Sequence, residues 1–267
     1  MKISFSTLGC PTWSWEDILS MTKDLGYDGI EVRGIENELY APNSGPFLPV
    51  NIERTKSVLK DKQIEISCLT SACYLFDKKN IERQMKEGID YIYLAQNLGV
   101  KYVRVLGDEQ PYSRDDIDVD FVAANLQELA NYADGRDVMV LIETNGVFAD
   151  SKILLSLLEK VNKLNVGVLW DIHHPYRYMN EPMAETYNRL KPYIRHVHFK
   201  DSLMSEGKIT YKMVGYGDLP IAEVLELLKA DNYTDYISLE WVKRWDTTLE
   251  APAIAFPHFI NFVKRYI

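Results

Sequence analysis

Residues 138–171 read VMVLIETNGVFADSKILLSLLEKVNKLNVGVLWD. The first six and the last six residues of this stretch are mostly β-branched or other apolar side chains, which is typical of buried parallel strands. Between them, apolar side chains recur at helical spacing from Ile153 to Val161, and Asp150 followed by Ser151 offers a helix N-cap. The stretch therefore predicts one strand–helix–strand unit.

The same alternation of short apolar runs and amphipathic segments continues through the whole chain. Residues 81–98 and 121–133, for example, carry apolar side chains at helical spacing. Gly26 and Gly99 follow two predicted helices, which is typical of a left-handed C-cap. The predicted strands are Ile3–Thr7, Gly29–Val32, Glu65–Leu69, Tyr102–Val105, Val138–Glu143, Val166–Asp171, Ile194–Lys200 and Tyr236–Glu240.

Eight strands, each followed by a helical segment, are the count of a (β/α)₈ barrel, and 267 residues are close to the usual length of that fold. No stretch has the composition of an interdomain linker. We therefore expect an α/β protein, a single (β/α)₈ TIM barrel that occupies residues 1–267. A doubly wound open sheet produces the same alternation, but the length and the strand count favour the closed barrel.

Composition and charge limit the classes of partner. The formal net charge of -9 argues against a nucleic-acid partner, because nucleic-acid binders usually present a basic face. The first residues lack the apolar segment of a signal peptide, and no apolar run is long enough to span a bilayer. The three cysteines have no paired metal-binding spacing, so free thiols in a reducing compartment are expected. These features predict a cytoplasmic protein without nucleic-acid or membrane partners and leave a homo-oligomer open.

Polar side chains end the fifth to the eighth predicted strands. Glu143 and Asp171 end the fifth and sixth, Glu240 ends the eighth, and the seventh supplies histidine where residues 194–198 read Ile-Arg-His-Val-His. An ionised side chain at the end of an apolar strand is costly unless it is paired or ligated. In a barrel, the carboxyl ends of the strands converge on one opening. We therefore expect these four groups to face a common point.

Three carboxylates and one imidazole are a suitable ligand set for one divalent cation of intermediate hardness. Mn²⁺ is favoured, with Mg²⁺, Co²⁺ or Zn²⁺ as alternatives. A bound cation would also relieve the mutual repulsion of the carboxylates. Each residue taken alone is better explained as a cap of a loop or helix, but four on consecutive strands favour one metal site.

Several motifs of the chain resemble those of a known superfamily. The xylose-isomerase-like barrel superfamily of sugar isomerases and epimerases also includes inosose dehydratases, hydroxypyruvate isomerases, tagatose-type 3-epimerases and dehydroshikimate dehydratases. The resemblance extends over nearly the whole chain and is more specific for the superfamily than for any one reaction. The motifs that carry it are Glu143-Thr-Asn-Gly, Asp171-Ile-His-His174, His196-Val-His198-Phe-Lys200-Asp201, Ser238-Leu-Glu240, Gly26-Tyr-Asp-Gly-Ile-Glu31-Val-Arg33 and Gly215-Tyr-Gly217-Asp218.

The resemblance implies a role for each of these positions. The implied metal ligands are Glu143, Asp171, His198 and Glu240. The resemblance also implies that Glu143 and Glu240 are catalytic and exchange a proton with a substrate carbon, while His174 contacts a substrate oxygen. The chemistry is physically reasonable, because a metal at a substrate carbonyl stabilises an enediolate, and two carboxylates can remove and return the neighbouring proton.

Three functions remain open from the sequence. The first is a divalent-metal-dependent isomerase or epimerase of a small ketose, a sugar phosphate or a related polyol. The second is a metal-dependent lyase that dehydrates an inosose or a dehydroshikimate-like ketone, which begins with the same proton removal. The third is a barrel that binds a sugar without turning it over, and the pair of metal-ligating glutamates argues against it.

The chain departs from two branches of the superfamily. Tagatose-type epimerases carry a further Glu six residues beyond the first ligand and an Arg six residues beyond the ligand His, where this chain has Ala149 and Met204. That departure weakens a ketose 3-epimerase assignment. The nuclease branch uses additional histidines, whereas the ends of strands two to four here offer Arg33, Ser71 and Asp108. An abasic-site nuclease is therefore not expected.

Arg33 and Lys200 are the two cations that the sequence places at the barrel mouth. If both bind substrate, an anionic substrate is favoured, because charge-assisted hydrogen bonds are about twice as strong as neutral ones. If Glu31 neutralises Arg33 instead, a neutral sugar is favoured. Lys200 is nearly as well explained as a solvated lysine at a strand end. His196 is expected to support His198 or to pack in the core.

Overall fold

The architecture is a closed barrel of eight parallel strands, described for residues 1–267 in a computed structural model of the chain. The barrel order is β1-β10-β7-β6-β5-β4-β3-β2, and β8 pairs with β9 in a separate antiparallel hairpin. The predicted closed barrel is confirmed. The strands are β1 (Lys2–Ser6), β2 (Gly29–Val32), β3 (Glu65–Tyr74), β4 (Tyr102–Leu106), β5 (Met139–Glu143), β6 (Val166–Asp171), β7 (Ile194–Phe199), β8 (Asp201–Ser205), β9 (Lys208–Lys212) and β10 (Tyr236–Leu239).

Nine helices surround the barrel, and local sequence signals mark several of their ends. Gly26 and Gly99 both have a φ of 74°, which confirms the predicted left-handed C-caps. The Asp150 side chain accepts hydrogen bonds from the backbone N–H groups of Lys152 and Ile153, which confirms the predicted N-cap. The helices are α1 (Trp15–Leu25), α2 (Ile52–Lys62), α3 (Ile81–Leu98), α4 (Val119–Ala133), α5 (Ser151–Val161), α6 (His173–Tyr178), α7 (Met183–Leu190), α8 (Ile221–Ala230) and α9 (Pro252–Val263).

Two apolar regions hold the barrel and the helices together. The larger region lies between the strands and the surrounding helices. A smaller cluster of Cys68, Tyr102, Leu141 and Leu169 is separate from it. Because side chains alternate between the two faces of a strand, Leu141 shares a face with Glu143, two residues further along β5. The smaller cluster is thus an apolar layer inside the barrel, below the polar groups at the strand ends.

The segment after β7 differs from the sequence prediction. The sequence predicts no strand between Lys200 and Tyr236, yet residues 201–212 form the β8–β9 hairpin. Glu206 and Gly207 at its turn both have positive φ, of 50° and 76°, as a two-residue hairpin turn with the twist of the flanking strands requires. None of the helices has the length and apolar character needed to cross a bilayer.

Candidate active site

The strand ends bring four potential ligand side chains to one point. Glu143 ends β5, Asp171 ends β6, His198 lies in β7, and Glu240 directly follows β10. One ligand atom from each of the four lies within 4.8 Å of the others, and all four side chains are buried. His198 is the register partner of Asp171, so the two side chains stand at the same height in the barrel. The structure thus groups the four residues that the sequence predicts as ligands.

The imidazole of His198 is oriented in a way that fits a metal ligand. Its Nε2 donates to Oε2 of Glu31 at 2.9 Å, and in a neutral imidazole this bond places the proton on Nε2. Its Nδ1 is buried and has no hydrogen-bond partner. That atom lies 3.5 Å from Oε1 of Glu240, 3.7 Å from Oδ2 of Asp171 and 3.9 Å from Oε1 of Glu143. An imidazole lone pair that faces three carboxylates is an arrangement that suits a divalent cation.

The charge around His198 favours a cation at this point. Burial alone would lower the pKa of His198, but the carboxylates of Glu31 and Glu240 raise it well above its ordinary value. The same negative potential that would hold a proton on Nδ1 would hold a metal ion there instead. The residues present therefore fit a divalent metal centre.

Glu31 supports the two histidines of β7 and does not pair with Arg33. Its Oε2 accepts from Nε2 of His196 at 2.8 Å as well as from Nε2 of His198. The alternative in which Glu31 neutralises Arg33 is therefore wrong, because the carboxylate turns to the histidines, with both bonds on Oε2, and its Oε1 has no hydrogen-bond partner. His196 holds this carboxylate from below and does not belong to the four-residue cluster.

Lys200 lies inside the cluster, with only 4% of its surface exposed. Its Nζ lies 2.7 Å from Oδ2 of Asp171 and donates a hydrogen bond to Oε2 of Glu240. Burial alone would lower the pKa of Lys200, but these two carboxylates raise it well above its ordinary value. The alternative of a solvated strand-end lysine is wrong, because the side chain turns inward to two buried carboxylates.

Glu143 and Glu240 have different electrostatic environments. Burial raises the pKa of Glu143 to about 7, and the Arg104 guanidinium and His198 only partly offset that effect. Burial also raises the pKa of Glu240, but Lys200 and His198 hold it below its ordinary value. Two carboxyl groups with different proton affinities, at one cavity, are suited to acid–base chemistry.

Arg104 is a site residue that the sequence prediction missed. It lies on β4, is buried, and places Nε 3.1 Å from Oε2 of Glu143. Its Nη1 donates to the backbone oxygen of Ser71 at 2.7 Å. A charged residue in the middle of the apolar run Tyr102–Leu106 was the available signal, because such a charge is costly to bury unless it is paired.

His174 reaches the same cavity from the start of α6. Its Nδ1 lies 3.0 Å from the backbone oxygen of Thr144, which leaves Nε2 as the acceptor in the neutral ring. Burial lowers the pKa of His174 to about 4, although Asp171 opposes that effect. The neutral ring can accept a hydrogen bond from a substrate hydroxyl. The neighbouring His173 turns away, with Nε2 at 2.9 Å from Oγ of Ser202.

A cavity of about 230 Å³ opens above the cluster. It includes all three residues predicted to bind substrate, Arg33, His174 and Lys200. Met204, which stands where tagatose-type epimerases have Arg, is 41% exposed on the hairpin and does not line the cavity; nor does Ala149. The remaining lining residues are Leu8, Tyr74, Arg104, Leu106, Glu109, Pro111, Glu143, Asn145, Tyr211, Glu240, Val242 and Trp245.

A family model described as the xylose isomerase-like TIM barrel matches residues 19–258. The chain belongs to this family. The match covers most of the barrel and all of the residues of the four-residue cluster, so the resemblance stated from the motifs is confirmed.

The chain is also similar in sequence to a sugar epimerase. Fructoselysine 3-epimerase of Escherichia coli O157:H7 is 24% identical over 255 residues, which are 91% of this chain and 90% of that protein. This relative bears out the prediction of an enzyme of the sugar isomerase and epimerase class.

Two solved structures share the fold. A probable 3-DHS dehydratase from Bacillus anthracis has a TM-score of 0.78 at 18% identity and covers 98% of this chain and 99% of its own. A xylose isomerase-like TIM barrel protein from Mycobacterium smegmatis, in complex with magnesium, has a TM-score of 0.69 at 18% identity. The match covers 90% of this chain and 89% of that protein.

Proposed function

We propose that the protein is a divalent-metal-dependent isomerase or epimerase of a small ketose, a sugar phosphate or a related polyol. The observation that carries the proposal is the grouping of Glu143, Asp171, His198 and Glu240 around the partnerless Nδ1 of His198. These four residues would hold one ion. Glu143 and Glu240 would also be the catalytic pair that moves the proton.

The ligand set supports Mn²⁺ as the preferred ion, with Mg²⁺, Co²⁺ or Zn²⁺ as alternatives. The magnesium complex of the M. smegmatis protein supports a divalent ion in this family. When bound, the ion would polarise a substrate carbonyl and stabilise the negative charge that proton removal leaves on the substrate.

The side chains of the cavity have complementary tasks in this proposal. Glu143 and Glu240 are separated by β6 and β7 in the barrel, so they approach a bound substrate from different sides. One carboxylate removes the proton from the carbon next to the carbonyl, and the other returns a proton. Lys200 holds Asp171 and Glu240 in place and balances their charge. His174 accepts a hydrogen bond from a substrate hydroxyl.

A dehydratase is the second candidate function. The substitutions at Ala149 and Met204 remove two groups that tagatose-type epimerases use, and the structural neighbour from B. anthracis is a probable 3-DHS dehydratase. Removal of the same proton followed by loss of a β-hydroxyl would dehydrate a cyclic hydroxyketone such as an inosose. A sugar-binding barrel without activity is the weakest alternative, because binding alone does not require the proton-transfer pair Glu143 and Glu240.

Incubation with a panel of substrates in D₂O distinguishes these functions. Purified protein with added Mn²⁺ is incubated in D₂O with neutral ketoses, ketose phosphates and cyclic hydroxyketones, and the products are followed by NMR and mass spectrometry. An isomerase or epimerase incorporates deuterium at carbon, and a dehydratase releases a product lighter by one water. Binding without either change, across the whole panel, would contradict an enzymatic role.

We also propose a cytoplasmic location and a small sugar-like substrate as the main partner. Cys10, Cys68 and Cys73 are all buried and free, which supports a reducing compartment. The net charge of -9 gives no support to a nucleic-acid or membrane partner, and a homo-oligomer stays open.

A further inference from the structure

Arg33 differs from the other two permanently charged cations of the cavity. Arg104 pairs with Glu143, and Lys200 pairs with Asp171 and Glu240. Arg33 has 8% of its surface exposed, lines the same cavity, and forms no ion pair. It is therefore a buried guanidinium whose charge the protein does not neutralise by contact.

The hydrogen bonds of Arg33 fix its position and leave part of it free. Nη1 donates to the backbone oxygen of Leu39 at 3.1 Å, and the hydroxyl of Tyr91 donates to the same oxygen at 3.2 Å. The backbone N–H of Arg33 donates to Oγ1 of Thr7 at 3.0 Å. Nε and Nη2 donate to no protein group. The guanidinium is held along one edge and keeps donors available.

The surroundings of Arg33 increase the free-energy cost of burying its charged guanidinium. Burial and the nearby Arg104 guanidinium both lower the pKa of Arg33. Glu87 is the one carboxylate among the groups that raise the pKa of Arg33. It accepts a hydrogen bond from the backbone N–H of Ala72 and forms no ion pair with Arg33. A buried charge of this kind is costly unless an opposite charge accompanies it.

The barrel places Arg33 and the four-residue cluster on different sides of its opening. Arg33 directly follows β2, and Arg104 lies on β4. Glu143 and Asp171 end β5 and β6, and Glu240 directly follows β10. In the strand order, β2 is four places from β6 in either direction, so Arg33 stands opposite Asp171. A ligand that spans the cavity meets the carboxylates at one end and an unpaired guanidinium at the other.

We propose that the substrate carries an oxyanion, a carboxylate or a phosphate, which binds Arg33 on the side of the cavity that Arg104 shares. The proposal narrows the substrate class and rests on the proposed function of the site. Arg33 takes this role without Lys200, because two carboxylates already neutralise Lys200. The oxyanion end lies away from the acidic cluster, and the carbonyl end lies over it.

The test compares three ketoses that differ only at carbon 6: D-fructose, D-fructose 6-phosphate and D-fructuronate. Their binding to the Mg²⁺-loaded protein is measured by calorimetry. We expect at least one anionic ketose to bind roughly 10- to 100-fold more tightly than D-fructose, which is the range of a hydrogen bond to a charged group. The tighter of the two anionic probes identifies phosphate or carboxylate.

The variants Arg33→Gln and Arg33→Lys show whether Arg33 is responsible. Glutamine can keep a hydrogen bond to Leu39 but lacks the charge, so it should abolish the preference for the anionic ketose while the affinity for D-fructose changes less than about threefold. Lysine should restore part of the preference. Arg83→Gln, at an exposed position of α3, is the matched control and should keep the full preference.

Two binding results would overturn the proposal, and one exchange result would do so as well. One is equal loss of affinity for neutral and anionic ketoses in Arg33→Gln, which indicates a structural role. The other is an unmodified protein that binds neither anionic ketose more tightly than D-fructose. Because calorimetry measures binding without turnover, a preference that depends on Arg33 would stand even if no substrate exchanged hydrogen. Exchange with neutral ketoses that does not depend on Arg33 would support the proposed function and refute the anion site.

Discussion

Replacement of Glu143 or Glu240 by glutamine is expected to lower solvent-hydrogen exchange into the substrate by about 10²–10⁴-fold, the range of general acid–base catalysis. Both side chains are buried and line the cavity, and glutamine keeps their shape. Glutamine cannot take up a proton, so a carbon-bound proton has no acceptor on the side of the substituted residue. The rate is measured by NMR as deuterium incorporation from D₂O.

The two variants need a control for folding and for metal content, because both residues are also proposed ligands. Glu82→Gln, at an exposed position of α3, is the matched substitution and should leave the rate unchanged. Thermal unfolding and metal analysis at saturating Mn²⁺ identify variants that lose the fold or the ion. An exchange rate within about tenfold of the original, in a variant that retains both, would refute the two-carboxylate mechanism.

Asp171→Asn is expected to weaken Mn²⁺ binding strongly, because it removes a ligand. The loss should exceed the factor of roughly 10 to 100 that is typical when a metal ligand loses its supporting hydrogen-bond partner. Oδ1 of Asp171 accepts from the backbone N–H groups of His173 and His174, and asparagine can keep both bonds. Oδ2, which faces His198, becomes an amide nitrogen that cannot ligate a cation. The substitution therefore removes a ligand with little effect on the start of α6.

Glu31→Gln is the comparator for this measurement. Glu31 does not belong to the four-residue cluster, but it holds Nε2 of His198. Its replacement should weaken Mn²⁺ binding by the smaller factor of roughly 10 to 100, because the ring orientation is less well defined. Both affinities are measured by calorimetric titration of metal-free protein. An unchanged affinity in Asp171→Asn, or a larger loss in Glu31→Gln than in Asp171→Asn, would contradict the ligand assignment.

The barrel was largely predictable because its strands are buried on both faces. Such strands appear as short apolar runs, and all eight predicted runs overlap the barrel strands. β3 was predicted to end at Leu69, where its apolar run ends, but it continues to Tyr74. Its pairing with β4 is irregular between Thr70 and Tyr74. The hairpin of residues 201–212 was missed because β8 has no alternating apolar pattern. In β9 the alternation is limited to Ile209 and Tyr211.

The grouping of the four proposed ligands was predictable for a different reason. Charged side chains at the ends of apolar strands stand out in a sequence, and the topology of a barrel brings strand ends together. Pairing between inward-facing side chains was not predictable in the same way. Glu31 lies two residues before Arg33 in the sequence, but it bonds to histidines from β7, more than 160 positions away in the chain. Such contacts depend on barrel register and on side-chain rotamers.

Anomalous diffraction from crystals grown with Mn²⁺ would locate the metal directly. We predict a single strong peak at about 2.0–2.3 Å from one atom each of Glu143, Asp171, His198 and Glu240, with Nδ1 as the ligand atom of the histidine. Two other buried groups of histidine and carboxylate side chains exist, around Glu31 with His196 and around Asp171 with His173. A peak at either of those groups, or no peak in protein saturated with Mn²⁺, would contradict the metal centre proposed for this barrel.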